Sequence, residues 1–184
     1  NLQTLRDNPH GVDLGPLQPR LPDALRTPSG KVELAPAEIL ADLARLEAAM
    51  HDVDTEEFLL VGRRHLRSNN SWMHNIEALV KGKSRCTLQI HPDDAHRLGV
   101  VDGGRVRVTS RVGTIDVDAE VTQDIRSHVV SLPHGWGHGL RGTKMQIAAE
   151  KSGTNTNILT DQEQMDPLSG NAVLNGIPVT VVVM

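Results

Sequence analysis

Cysteine is almost missing from this chain: Cys86 stands alone among 184 residues. One thiol excludes an internal disulfide, and it excludes a zinc or iron–sulfur site built from this chain's cysteines alone. Aromatic residues are nearly as scarce. Phe58, Trp72 and Trp136 are the full set, with no tyrosine, so the core has to be aliphatic and no stacking platform for single-stranded nucleic acid is available. No run approaches the ~18 consecutive apolar residues that a membrane span requires, although the apolar share is an ordinary 38%. The N-terminus offers Asp7, Asp13 and several prolines in place of a cationic stretch followed by an apolar one. No secretory signal is visible, then, and the expected location is cytoplasmic. No methionine opens the chain, which reads as a fragment or a processed product. A net charge of −4 argues against general polyanion binding and leaves local patches open.

What is present suggests one domain preceded by an arm, at the usual ~150 residues per domain. Six of ten prolines lie in the first 36 residues, each fixing φ and removing a backbone donor, so this segment is expected to be extended. The turn Thr27-Pro28-Ser29-Gly30 leads into Lys31-Val32-Glu33-Leu34, which alternates like a short strand. A helix is expected from Pro36, with Ile39, Leu43, Leu46 and Met50 on one stripe. The arm and this helix occupy residues 1–54, and a second unit fills 55–184. Within it, Phe58–Val61, Cys86–Ile90, Arg105–Ser110, Thr114–Val121, Val129–Leu132 and Val179–Val183 read as strands. The stretch from His91 to Gly99 reads as a compact helix opened by proline and two carboxylates and closed by glycine. Six short strands with one or two small helices imply a closed or nearly closed barrel.

Two segments concentrate chemistry. Gly62 to Asn75 is rich in donors, and from Arg63 to Arg85 six cations face Glu77 alone, a local +5 in an acidic chain. Guanidinium forks, amides and hydroxyls on one loop suit an anion with several acceptor oxygens, such as a diphosphate; a solvated loop whose Asn and Ser satisfy their own turns is the alternative. The second segment, Pro133 to Gly139, alternates glycines around His134, Trp136 and His138, so that backbone amides can approach a ligand closely. It falls short of a zinc site, having two histidines and no nearby cysteine. Phosphate-loop signatures fail: Glu77 stands where Gly82-Lys83-Ser84 would need a preceding glycine, and Thr143 stands where lysine should follow Gly142. No nucleophile elbow appears. Cys86 reads as a buried structural thiol unless Arg85 and solvent reach it.

Thr27 to Glu33, the Arg63 to Asn75 loop, His91 through Val121, the His134 to Gly139 loop and Asn157…Asp166-Pro167…Ser169-Gly170 follow one another in the order found in molybdopterin oxidoreductases. Over about 150 residues the chain resembles the C-terminal molybdopterin-dinucleotide-binding domain of the dimethyl-sulfoxide-reductase superfamily, nearest its formate dehydrogenase and nitrate reductase branch. The resemblance implies a six-stranded double-psi β-barrel; with the small peripheral helices and the extended N-terminal arm read above, the expected fold is mainly β. It also implies that the domain grips the pterin and diphosphate of a bis-molybdopterin guanine dinucleotide carrying molybdenum or tungsten. The implied cofactor contacts are Arg63, Ser68, Asn69, Asn70, Ser71 and Trp72 on the first loop, His134 and Gly135 on the second and Asn157 on the third. No catalytic residue and no metal ligand is implied here: the family's metal ligand, and its iron–sulfur cluster where there is one, belong to preceding domains of the same polypeptide. The chain alone would then be an inactive part of an oxidoreductase, with an electron-transfer subunit as a further partner, no nucleic acid and no membrane insertion. The family often has a lysine shortly after Asp166-Pro167, where this chain has Asn171, Ala172 and Val173. A double-psi barrel that recognises peptides or other substrates without redox chemistry is the competing reading.

Overall fold

The structure is a computed structural model that describes residues 1–51 and 57–184. The chain divides into two compact units, Asn1–Glu47 and Ala48–Met184. The expected boundary between residues 54 and 55 lies outside the described residues.

The first unit is not simply extended. Asn1 caps a helix, α1 (Leu2–Asp7), its side-chain oxygen accepting from the Thr4 amide at 2.9 Å. The turn at Thr27–Gly30 forms as expected, with the Gly30 amide donating to Thr27 O at 3.0 Å. The strand expected at Lys31–Leu34 does not form. The Thr27 hydroxyl captures the Lys31 carbonyl at 2.7 Å, and Val32 and Leu34 stay exposed. An alternating segment with no neighbouring strand has nothing to pair its backbone with. The helix expected from Pro36 is split. Pro36 is its N-cap, α2 spans Ala37–Ala41 and α3 spans Leu43–His51. Between them the Asp42 amide donates three residues back, to Ile39 O.

The second unit is a mixed β-barrel. Its strands β1 (Phe58–Arg63), β2 (Thr87–Ile90), β3 (Arg105–Thr109), β4 (Thr114–Val121), β5 (Val129–Pro133) and β6 (Ile177–Val183) close in the order β1-β5-β2-β4-β3-β6. The pairs β1·β5 and β2·β4 are parallel and the rest antiparallel. This is the double-psi barrel that the resemblance implies. Parallel neighbours cannot be joined by a tight hairpin, so long loops leave the rims. Period-two alternation drives closure: Val106, Val108, Ile115 and Val117 face inward in register, Val106 opposite Val117 and Val108 opposite Ile115. They join Phe58, Leu60, Leu88, Ile90, Val130, Leu132, Ile177 and Val179 in one aliphatic core. Burying each such side chain contributes about 1.5–3 kcal/mol. The outward residues of β3 and β4 pair by charge, Arg105 with Asp118 and Arg107 with Asp116.

Helix α4 covers Glu77–Val80, α5 Pro92–Leu98 and α6 Gln146–Glu150. The expected helix from His91 to Gly99 is α5: the His91 ring accepts the Asp93 amide, and Gly99 ends the helix at φ +73°. One of its opening carboxylates has a larger task. Asp94 is buried and accepts from the His128 amide at 2.8 Å and the Ser127 hydroxyl at 3.1 Å, which sets the turn entering β5. In the β3–β4 turn Arg111 grips the buried Asp161 with two nitrogens, one at 2.7 Å. That tie lies just beyond a 3₁₀ turn at Thr156–Leu159, which carries Asn157.

Candidate functional site

Strands β1 and β5 run parallel with Arg63 opposite Pro133, so the loops that follow them leave the same rim side by side. The first loop folds on itself. Ser68 accepts the Met73 amide on its carbonyl at 3.1 Å, and Asn69 and Asn70 lie in the left-handed region at φ +42° and +62°. Asn tolerates that region better than most residues because its short amide can bond locally. The second loop packs onto this bend. A Cβ on Gly135, at φ +87°, would lie 2.3 Å from the Asn70 carbonyl oxygen, so only glycine fits. Beside it His134 Nε2 meets Asn70 Oδ1 at 3.0 Å, and Arg64 reaches the same oxygen at 3.4 Å.

The third loop closes against the second. The amides of Gly137 and His138 donate to Ser152 O at 2.7 and 3.3 Å, and the Thr156 hydroxyl donates to Pro133 O at 3.1 Å. Those two amides are therefore engaged within the rim. Trp136 is buried among the loops, and its indole Nε1–H has no acceptor among the described residues. A side chain on Gly153 would collide with Trp136 and Cys86. Cys86 is buried, accepts the Thr154 amide on Sγ at 3.2 Å and has its thiol pKa pushed up, chiefly by burial. It is the structural thiol the sequence suggests.

The nine expected contacts fall into two groups. Asn69, Asn70 and Trp72 are exposed, Ser71, His134 and Gly135 are half-buried beside them, and Asn157 is exposed on its 3₁₀ turn. Arg63 and Ser68 are turned inward. The Arg63 guanidinium donates to Ser131 O at 2.6 Å and Thr87 O at 2.9 Å, and it lies 3.7 Å from Glu120. It thereby links β1 to β5, β2 and β4. Burial lowers its pKa, with Glu120 opposing. The Ser68 hydroxyl, also buried, bonds His74.

Arg63 also edges a cleft of about 620 Å³ shared with His65, Lys83, Arg85, Gln89 and Glu120. Burial and then the nearby Arg85, Arg63 and Arg67 hold His65 below the ordinary histidine value. No group of three metal-ligating side chains occurs among the described residues, and no helix there is long and apolar enough to cross a membrane. His74 lies within the donor-rich segment the sequence marks, but nothing local singles it out from its neighbours or shows that it is buried.

Known proteins resemble this chain in sequence and fold. Residues 58–178 match the family described as molydopterin dinucleotide binding domain. The chain is 28% identical over 150 residues to the molybdopterin-containing subunit of arsenate respiratory reductase from Chrysiogenes arsenatis, an alignment covering 74% of this chain and 18% of that one. It is 31% identical over 112 residues to a formate dehydrogenase alpha subunit from Methanocaldococcus jannaschii, covering 60% and 16%. With the biotin sulfoxide reductase of Cereibacter sphaeroides it shares 31% over 150 residues, covering 74% and 19%. The chain thus spans under a fifth of the length of these relatives. In fold it superposes on acetylene hydratase from Pelobacter acetylenicus with a TM-score of 0.64 at 21% identity, over 86% of this chain and 24% of that one. The family match over residues 58–178, which covers well over half of the chain and reaches from the first barrel strand into the last, assigns the chain to the molydopterin dinucleotide binding domain family.

Proposed function

We propose that this chain is the part of a molybdenum or tungsten oxidoreductase that holds a bis-molybdopterin guanine dinucleotide, in an enzyme of the formate dehydrogenase and nitrate reductase branch. The observation that carries this is the meeting of the first and second loops at Asn70, His134 and Gly135. The residues fit such a group. Between Gly62 and Ile76 the loop holds Arg64, Arg67, Asn69 and Asn70 and not one carboxylate. A diphosphate presents only acceptors, and bonds from such donors to an anion are roughly twice as strong as neutral ones.

When bound, the cofactor supplies two-electron chemistry at its metal. This chain's residues supply the grip. Asn69, Asn70, Ser71 and Trp72 on the first loop, His134 and Gly135 on the second and Asn157 on the third bind and orient the pterin and diphosphate. Trp72, 82% exposed, offers a flat face to a planar ring. Arg63 and Ser68 act from behind, holding the rim that presents these groups. The metal ligand and an iron–sulfur cluster lie in preceding domains of the same polypeptide, an electron-transfer subunit is the redox partner, and the isolated chain turns nothing over. The whole enzyme oxidises formate or reduces an oxyanion; the similarity to a formate dehydrogenase subunit supports this branch.

The test is Asn70→Ala in the full-length protein, with molybdenum, tungsten and pterin counted per polypeptide after purification. Losing a bond to an anion costs about 1.5–3 kcal/mol, so cofactor retention should fall roughly tenfold or more. Full occupancy and unchanged release of pterin in that variant would falsify the loop assignment.

A further inference from the structure

His74 is the most deeply buried ionisable side chain at the rim, 1% exposed, and the proposed contacts do not include it. Both of its ring nitrogens are engaged, each by a different loop segment. Nε2 lies 2.9 Å from Ser68 Oγ at the start of the first loop's bend, and Nδ1 lies 2.9 Å from His138 Nε2 on the second loop. Its ring stacks on Trp136 at 3.9 Å between centroids, and His138 approaches it edge-on. Together with the bond from the Met73 amide to Ser68 O, the Ser68–His74 contact closes the neck of a small loop whose tip is Asn69–Trp72.

We infer that Ser68, His74 and His138 form a hydrogen-bonded relay that fixes the Asn69–Trp72 tip against the second loop, making His74 a positioning residue for the cofactor. This inference rests on the reading that these loops hold the cofactor. A neutral imidazole has one donor and one acceptor. Two proton orders therefore complete the chain: Ser68 O–H to His74 Nε2 with His74 Nδ1–H to His138 Nε2, or the reverse direction throughout. One hydrogen sits in each contact in either order. If both rings are protonated, N–H faces N–H across 2.9 Å and the contact between the loops opens. The titratable groups facing His74 are His138 on the second loop and His65 on its own, with the Gly135 backbone as a further polar neighbour. No carboxylate among the described groups acting on His74 offsets a positive charge there. The tip's two left-handed asparagines hold a conformation that local propensity alone does not favour, and a tied neck keeps them there.

The experiment uses the full-length protein with His74→Phe, which keeps a ring on Trp136 and removes both hydrogen bonds, and His74→Gln, which keeps a donor and an acceptor. Release of pterin and metal is followed by fluorescence and mass spectrometry from pH 8 to 5, alongside thermal unfolding. In the unsubstituted protein, release should accelerate on acidification through the histidine range. In His74→Phe, release at pH 8 should be about tenfold faster, from two lost bonds, and should respond far less to pH. His74→Gln should recover most of the retention. Unsubstituted release rates and pH response in His74→Phe overturn the inference, as do equal losses in both variants tracking a fall in thermal stability. Absence of pterin from the unsubstituted protein overturns the cofactor reading beneath it, so the two failures are told apart.

Discussion

Gly135 touches the backbone of Asn70 so closely that no side chain fits between them: an added Cβ would stand 2.3 Å from the Asn70 carbonyl oxygen and 2.6 Å from its carbonyl carbon. The two residues are 65 positions apart, and the parallel pairing of β1 with β5 brings them together.

Replacing that glycine tests the junction. Gly135→Ala combines a φ of +87° with a clash against backbone, which cannot swing aside as a side-chain tip would. We expect a loss of about 2–4 kcal/mol in urea unfolding of the full-length protein's barrel, together with faster cofactor release. Gly30→Ala is the control. It has similarly positive φ, at +63°, but nothing within 4 Å of the added atom, so its effect should be smaller.

Arg63 offers a second test, because its guanidinium serves the barrel before it can serve any ligand. Arg63→Ala leaves the Ser131 and Thr87 carbonyls without their donor and removes the cation beside Glu120. The cost should be about 2–4 kcal/mol of stability even in cofactor-free protein. Arg63→Lys should recover little, since a point charge cannot reproduce the fork. Unaltered unfolding of Arg63→Ala would place the side chain's role in ligand contact alone.

Acid should weaken the rim. His65 and His74 are both held below the ordinary histidine value of 6.5, each chiefly by burial; arginines then add to the effect at His65 and His138 at His74. Below about 6.5 the unfolded chain takes protons that the folded rim refuses, so the unfolded state binds more of them and stability falls as pH drops. Stability is full above that value and declines through the window down to the folded pKa values. The depressed carboxylates Asp116 and Asp161 make their own contribution only nearer the acid range around 4. The check is the urea midpoint between pH 8 and 5, where a flat or rising profile toward pH 5 would contradict the sign. The double variant His65→Gln/His74→Gln should flatten it.

Much of the barrel was legible in the sequence. Arg105–Thr109 and Thr114–Val121 alternate strictly enough that both strands and their inward faces follow from period two, and the proline and glycine bounding α5 mark its ends. The same alternation misled at Lys31–Leu34, because a pattern describes a face and says nothing of whether a partner strand exists. α1 escaped notice because a capping Asn1 outweighed the proline content that follows it. The donor-rich first loop was visible as composition, and only the resemblance pointed to which of its residues to expect at a ligand.

Local spacing, then, determined which residues are strands, which ends are capped and where donors crowd, since these depend on neighbours within a few positions. Only the closed barrel decided that Arg63 turns inward to three other strands while Asn70 stays outside, and that His74 joins Ser68 to His138. Those outcomes depend on residues roughly sixty positions away arriving at one rim, and chain periodicity carries no information about a meeting that pairing between distant strands alone produces.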